Sequence, residues 1–162
     1  MNRNVRQIFY KPREGDASSP RPFKDFQTAR NVILLGDPGA GKTHVFRDAA
    51  ATEGGRFITA RAFLTTPARL LTQETFYIDG LDERRAGRGD RDTVDKLVEK
   101  LFEVSPAKVR ISCRVADWLG ESDLAAINPF FDQSETATVV VLEKLSTRSM
   151  RGRVWERIRS RN

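Results

Sequence analysis

The sequence has almost no sulfur or imidazole chemistry: its 162 residues include one cysteine and one histidine. A single cysteine excludes an intrachain disulfide framework, and one histidine beside it leaves too few ligands for a zinc site. Cys113 lies inside an apolar run, so we predict that it is a small buried hydrophobic residue. Disulfide-stapled and zinc-dependent proteins are therefore excluded.

Long apolar segments are also missing. No apolar run approaches the length that crosses a bilayer, and the N-terminus lacks the apolar core of a secretory signal. Hydrophobic residues make up 39% of the chain and charged residues 31%, which is typical of a soluble protein. The sequence therefore predicts a cytoplasmic protein without a membrane partner, and its length favours one folded domain.

The most informative segment that is present is residues 36–43, which match the pattern Gly-x4-Gly-Lys-Ser/Thr without a gap. Its glycines let successive backbone N–H groups surround a di- or triphosphate. Lys42 would reach the β- and γ-phosphates, and the Thr43 hydroxyl would ligate Mg²⁺. A helix that begins near Lys42 would add its positive N-terminal dipole. The predicted nucleotide-binding residues are Gly36, Asp37, Pro38, Gly39, Ala40, Gly41, Lys42, Thr43 and His44.

A second segment, residues 76–83, supplies carboxylates. It is an apolar run that ends in Asp79 and is followed by Gly80, Leu81, Asp82 and Glu83. We predict that Asp79 holds Mg²⁺ with Thr43. Asp82 and Glu83 would lie at the same sheet edge. We expect one of them, with Glu83 preferred over Asp82, to orient or deprotonate the attacking water.

The rest of the chain alternates between strand and helix patterns. Strands are predicted at 31–35, 56–60, 75–79, 109–113 and 137–142, and helices at 42–51, 67–71, 94–102 and 115–127. The helix at 94–102 carries an apolar stripe that we expect to face the sheet. Residues 84–92 read as a solvated loop, and residues 1–30 as an extended or partly ordered, basic, proline-containing lead-in. This alternation predicts a three-layer α/β/α P-loop NTPase with a five-stranded, mainly parallel sheet.

Three segments resemble the NACHT branch of STAND NTPases, which are signal-transducing relatives of AAA+ ATPases. Residues 76–83 (FYIDGLDE) look like its Walker B segment, residues 109–114 are similar to its sensor strand, and residues 139–146 are similar to the strand that closes its core. The resemblance implies the strand order 5-1-4-3-2, and it implies that Arg114 faces the γ-phosphate as a further catalytic residue. It also implies ATP and ADP as ligands and leaves open self-association through the NTPase domain.

Other P-loop families fit less well. A Ras-like GTPase needs Asn-Lys-x-Asp for guanine, and an ABC ATPase needs a Ser-Gly-Gly motif; neither occurs here. ATP is therefore the predicted nucleotide.

The C-terminal segment differs from the rest. From Lys144 onward there are seven basic residues and one acid, and the remaining residues balance, so this segment supplies the whole net charge of +6. We divide the chain into the lead-in (residues 1–30), the NTPase domain (31–146) and a basic tail (147–162). The tail could bind nucleic acid electrostatically, although a charged, frayed end is favoured. STAND proteins continue beyond this point, so a shortened or frame-shifted member is also expected to look like this.

Three functions follow as hypotheses. The favoured one is a Mg-ATP-binding, slowly hydrolysing switch core that works in bacterial defence or signalling. The second is an AAA+-like ATPase that loads or remodels something on nucleic acid, with the basic tail as its tether. The third is a non-catalytic remnant that binds nucleotide or nothing.

Overall fold

The computed structural model describes residues 3–9, 19–84, 92–130 and 137–144, which form one mixed sheet with helices on both faces. The strands are β1 (Asn4–Ile8), β2 (Arg21–Pro22), β3 (Asn31–Leu35), β4 (Arg56–Thr59), β5 (Thr75–Asp79), β6 (Lys108–Cys113) and β7 (Thr138–Leu142). The α-helices are α1 (Lys42–Glu53), α2 (Ala60–Thr65), α3 (Asp92–Val104) and α4 (Glu121–Ile127). Short 3-10 turns cover Phe23–Phe26, Ala68–Leu70, Leu81–Arg84, Val115–Asp117 and Asn128–Phe130.

The sheet order is β2-β1-β7-β3-β6-β5-β4. The five strands from β7 to β4 are mutually parallel. They are the five strands that the sequence predicts, and they lie in the expected order 5-1-4-3-2. The strand before the phosphate loop, β3, is central, and all five of its residues are buried.

The prediction of five strands is wrong, because the described sheet has seven. The lead-in contributes β1 and β2, both antiparallel to their neighbours. β1 pairs along β7 from Val5 opposite Leu142 to Ile8 opposite Val139. Without β1, the backbone of β7 would form an open sheet edge. The fully buried Val5 side chain shows that this part of the lead-in belongs to the core.

Alternate residues of β3 serve the two faces of the sheet. Val32 and Leu34 join one apolar cluster with Phe46 of α1, and Ile33 and Leu35 join another with Leu97 of α3. Successive side chains of a strand point to opposite faces, so one continuous apolar run packs against two helical layers. The predicted three-layer architecture is therefore present, with α1 on one side and α2, α3 and α4 on the other.

Several helical boundaries differ from the predictions. The helix α2 was not predicted; it begins after Thr59, whose hydroxyl caps the Ala62 N–H at 3.2 Å. The predicted helix at 67–71 is a 3-10 turn, and the one at 115–127 is broken before Gly120. Gly120 has a φ of 62°, in the left-handed region, which a continuous helix does not allow.

The apolar stripe of α3 packs against the core with Val98 partly buried. At its end, Phe102 is 55% exposed and meets the Phe130 ring edge-on. In the part of the chain that the structure describes, no helix has both the length and the apolar character that a membrane span requires. Most of the predicted loop at 84–92 and all of the basic tail lie outside the described residues.

Candidate functional site

The phosphate loop joins the end of β3 to the start of α1. Gly39 and Gly41 have φ values of 72° and 97°, which glycine adopts without strain. Gly41 is the N-cap of α1, and the Ala40 N–H donates to the Asp37 carbonyl at 3.1 Å within the loop. The loop therefore ends on the N-terminus of a three-turn helix, where backbone N–H groups are available to an anion.

The Lys42 side chain folds back across this loop. Its Nζ donates to the Gly36 carbonyl at 2.7 Å and to the Asp37 carbonyl at 3.2 Å. A Cβ on Gly36 would lie 3.3 Å from Lys42 Cγ, so glycine at this position leaves room for the lysine stem. The ammonium group is thus held over the loop by carbonyl oxygens.

The structure brings Thr43 and Asp79 together, from α1 and the end of β5. Thr43 Oγ1 donates to Asp79 Oδ2 at 2.6 Å. The other oxygen, Asp79 Oδ1, accepts from Ser112 Oγ at 2.5 Å, and Ser112 Oγ in turn accepts from the Gly80 N–H at 3.0 Å. Asp79 is only 9% exposed, so these bonds orient a nearly buried carboxylate.

This hydroxyl–carboxylate pair suits Mg²⁺. The ion commonly takes one or two protein oxygens and completes its shell with water and phosphate oxygens. No group of three or more His, Cys, Asp or Glu side chains with the geometry of a metal site occurs among residues 3–9, 19–84, 92–130 and 137–144. Thr43 and Asp79 therefore fit a magnesium ion that arrives with a nucleotide better than one bound by protein alone.

Asp82 holds Arg114 at the edge of the site. Asp82 Oδ1 accepts from the Arg114 backbone N–H at 3.0 Å, and Asp82 Oδ2 pairs with Arg114 Nε at 2.8 Å. The Asp82 side chain is 5% exposed and that of Arg114 is 46% exposed. Both Asp82 oxygens are thus engaged by the arginine.

Glu83 is exposed on the same 3-10 turn. Its backbone N–H donates to the Gly80 carbonyl at 3.1 Å, and Gly80 has a φ of 76°. A Cβ on Gly80 would lie 3.1 Å from Glu83 Cδ, so the glycine allows this carboxylate to fold over the turn. Of the two carboxylates predicted to act on water, Glu83 is the accessible one.

Two further predicted loop residues lie at the surface. His44 is exposed and faces Asp48 one turn along α1, with 3.6 Å between Nε2 and Oδ2. Asp37 is paired with Lys144 Nζ at 3.2 Å, which links the loop to the end of β7. A cavity of about 330 Å³ opens between Asp37 and Ala40 of the loop and the residues that end β7.

Ser112 and Arg110 were not predicted to be site residues. The Ser-x-Arg pattern of residues 112–114 was a sequence signal for Ser112. Ile78 of β5 pairs with Ile111 of β6, so the next residues, Asp79 and Ser112, are neighbours. Arg110 lies away from the loop and is fully buried. It donates to the carbonyls of Gln27 and Arg30 at 2.9 Å and 2.8 Å.

Burial has a clear electrostatic effect around Arg110. It lowers the pKa of the Arg110 guanidinium, with Tyr77 and Glu53 opposing that shift. Burial, followed by the Glu53 carboxylate, raises the pKa of the neighbouring Tyr77 hydroxyl well above its ordinary value. Arg110 stabilises the turn before β3 through its bonds to Gln27 and Arg30, away from the phosphate loop.

Comparison with solved structures shows the fold. A crystal structure of a DNA replication initiation factor is similar at a TM-score of 0.54 and 14% identity, over 82% of this chain and 46% of that one. The crystal structure of Bacteroides Pif1 bound to ssDNA matches at a TM-score of 0.48 and 15% identity, over 76% of this chain and 41% of the other. This chain thus spans less than half the length of either protein.

No protein-family model matches the sequence, and no curated protein is similar to it. The phosphate loop and the structural similarity together show the fold of a P-loop NTPase.

Proposed function

We propose that this chain binds Mg-ATP at residues 36–44 and acts as a slowly hydrolysing nucleotide switch. The observation that carries the proposal is the 2.6 Å contact between Thr43 Oγ1 and Asp79 Oδ2, beside the Lys42 ammonium and the N-terminus of α1. Thr43 and Asp79 would hold a magnesium ion there, which would supply positive charge against the phosphate groups.

Each residue then has a distinct part. Lys42 exchanges its bonds to the Gly36 and Asp37 carbonyls for bonds to phosphate oxygens. Ser112 keeps the Asp79 carboxylate turned toward Thr43. Glu83 accepts the proton of the attacking water, since it is accessible and Asp82 is engaged.

Arg114 is the proposed γ-phosphate sensor. Asp82 binds both the backbone N–H and the Nε of Arg114. The arginine side chain is therefore held in place, and its two terminal nitrogens are not used by these bonds to Asp82. A planar guanidinium matches phosphate oxygens through two parallel bonds. Asp82 is thus proposed as a positioning residue for Arg114.

The decisive experiment is a calorimetric titration of wild type and Lys42→Ala with ATP in the presence of Mg²⁺. We expect the variant to lose binding, and Lys96→Ala, an exposed lysine of α3, to bind as wild type does. Equal ATP affinity in wild type and Lys42→Ala would contradict the assignment. Glu83→Gln should bind ATP and stop its turnover; bound but uncleaved ATP in wild type would support the non-catalytic alternative.

The wider biological proposal is a NACHT-like switch in bacterial defence or signalling, and it rests on the resemblance of residues 76–83. Residues 31–146 would be the switch and residues 147–162 an appended tail. Self-association through the NTPase domain is tested by sedimentation with ATP against ADP. A single monomeric species in both would exclude it.

A second candidate is an AAA+-like ATPase that acts on nucleic acid. It is favoured by the similarity in fold to the DNA replication initiation factor and by the basic tail. Salt-dependent DNA binding that disappears on removal of residues 147–162 would support it. Binding that survives the removal would place the contact elsewhere.

A further inference from the structure

A positively charged surface follows the edge of the sheet opposite β2. β4 is the last of the described strands at this edge, and of those strands only β5 pairs with it. Residues 54–73, which contain β4 and α2, include three arginines and no lysine, aspartate or glutamate. A fourth arginine joins them from α1. We call these residues the arginine edge: Arg47, Arg56, Arg61 and Arg69.

Two of these arginines are held in place by uncharged groups. Arg56 Nη1 donates to the Leu70 carbonyl at 3.0 Å and to Gln73 Oε1 at 3.1 Å. The Arg47 guanidinium lies over the Phe57 ring of β4, with 4.9 Å between its Cζ and the ring centroid. Neutral oxygens and an aromatic face orient a guanidinium without neutralising its charge.

The other two arginines are exposed. Within the part of the chain that the structure describes, neither Arg61 nor Arg69 forms a hydrogen bond or an ion pair. Of the two acids that flank this segment, Glu53 turns a buried oxygen inward near Tyr77, and Glu74 is exposed. Charged side chains of either sign would keep the β4 edge from pairing with another chain. Arginines without acids do more, because a surface of one sign attracts a partner of the opposite charge.

The chemistry of the arginine edge favours a nucleic acid over an acidic peptide. The cations are all arginines, whose planar fork matches phosphate oxygens. The Gln73 amide, whose oxygen accepts from Arg56, keeps its NH2 group to donate to a phosphate. Leu70 is 56% exposed and offers an apolar contact to an unpaired base. A peptide strand added to β4 would gain few backbone bonds, because β4 has only four residues.

We propose that the arginine edge is a binding surface for single-stranded nucleic acid, whose phosphates contact the four arginines. The inference goes beyond the proposed nucleotide site, because it uses no residue of the phosphate loop. It gives the second candidate function a contact surface on the folded sheet, separate from the basic tail.

The test compares two double variants of the full chain that lose the same charge at opposite edges of the sheet. Arg61→Gln/Arg69→Gln changes the arginine edge, and Arg21→Gln/Lys24→Gln changes two exposed cations at and just after β2. Binding of a labelled oligothymidylate is measured by fluorescence anisotropy, without ATP, over a range of salt concentrations. The basic tail is present in both variants, so it contributes equally to both.

The expected difference follows from the release of counterions. Each phosphate contact with a single strand contributes about 0.7 to the slope of log affinity against log salt concentration, so losing two lowers the slope by about 1.4. The variant of the arginine edge should therefore bind roughly tenfold to thirtyfold more weakly near about 0.1 M salt. The control variant should stay within about twofold of wild type, because its two cations lie at the other edge.

A second matched pair consists of single variants. Arg47→Gln and Arg21→Gln each remove a guanidinium that lies over a phenylalanine ring, Phe57 in the first case and Phe26 in the second. Only Arg47→Gln should weaken binding of the oligothymidylate. This pair also covers the case in which the urea midpoint of Arg61→Gln/Arg69→Gln differs from that of wild type.

The remaining outcomes would overturn the proposal. These are no binding by wild type, or equal affinity and equal salt slope in the two double variants. Duplex DNA bound as tightly as the single strand would contradict a surface for unpaired bases. Displacement of the oligothymidylate by polyglutamate at an equal concentration of charge would identify an acidic peptide as the partner. Because ATP is absent from the assay, each of these failures leaves the proposed nucleotide site standing.

Discussion

Removing the Asp82 carboxylate should weaken the preference for ATP over ADP. Asp82→Ala deletes the two carboxylate oxygens that accept from the Arg114 backbone N–H and pair with its Nε. Arg114 is nearly half exposed, so the ion pair itself contributes about 1 kcal/mol or less to stability. The backbone bond to a nearly buried carboxylate adds roughly 1.5 kcal/mol. We therefore expect a loss of about 1–3 kcal/mol in the free energy of unfolding.

The functional effect follows from side-chain entropy. A released arginine must be ordered again when it meets the γ-phosphate, at a cost of up to about 2 kcal/mol. ATP affinity should then fall by up to roughly thirtyfold relative to ADP affinity. Arg114→Ala should remove the whole contact, so Asp82→Ala in an Arg114→Ala background should change the ATP-to-ADP ratio by less than about twofold.

The assay is a double-mutant cycle on the two dissociation constants, measured by calorimetry with Mg²⁺ for wild type, both single variants and the double variant. Lys96→Ala, at an exposed lysine of α3 outside the site, is the control and should leave the ratio unchanged. If the Asp82 and Arg114 effects multiply, Asp82 acts independently of Arg114, and its role as an anchor is refuted.

Three other perturbations test the site and the core. Thr43→Val deletes the hydroxyl that donates to Asp79, so it should abolish most of the Mg²⁺-dependent gain in ATP affinity in titrations with and without EDTA. An unchanged gain would show that Thr43 is not part of the metal site. Gly55→Ala would place a Cβ 3.0 Å from Tyr77 Cε2 and should lower the free energy of unfolding by about 1–3 kcal/mol, measured by urea denaturation. An unaltered urea midpoint would show that the Tyr77 ring moves aside without cost. Burial raises the pKa of Tyr77 above its ordinary 10.0, so the unfolded chain releases this proton first and stability falls as pH rises above that value. Tyr77→Phe should flatten this alkaline slope, and an identical slope in both proteins would contradict it.

The parallel part of the sheet could be predicted from the sequence because each strand is a short apolar run. Residues such as Val32 and Ile33 pack on opposite faces, and both faces are covered, so the pattern is continuous. The first two strands could not be predicted in this way. β2 is only an Arg-Pro pair, and Val5 is the one fully buried residue of β1, so the place of β1 depends on its pairing with β7.

The site shows the same division. Gly36 to Thr43 and Asp79 carry motif spacing, and the structure brings Thr43 and Asp79 into contact. What Asp82 bonds to could not be predicted, because a carboxylate after a strand has the same sequence pattern whether it faces water or an arginine 32 residues away. The arginine edge could not be predicted either, since Arg47 of α1 meets Phe57 of β4 only once the two elements have packed together.

The position of β7 between β1 and β3 has a consequence for protein synthesis. Both flanking strands leave the ribosome long before their shared neighbour, and Val5 finds its partner only when Leu142 has emerged. Bringing together two strands so far apart in the sequence is slow. Until β7 is in place, β1 and β3 each have an edge without a hydrogen-bonding partner strand. We expect the N-terminal strand to dock last during translation, so a nascent chain would acquire a complete phosphate loop before β1 joins the sheet.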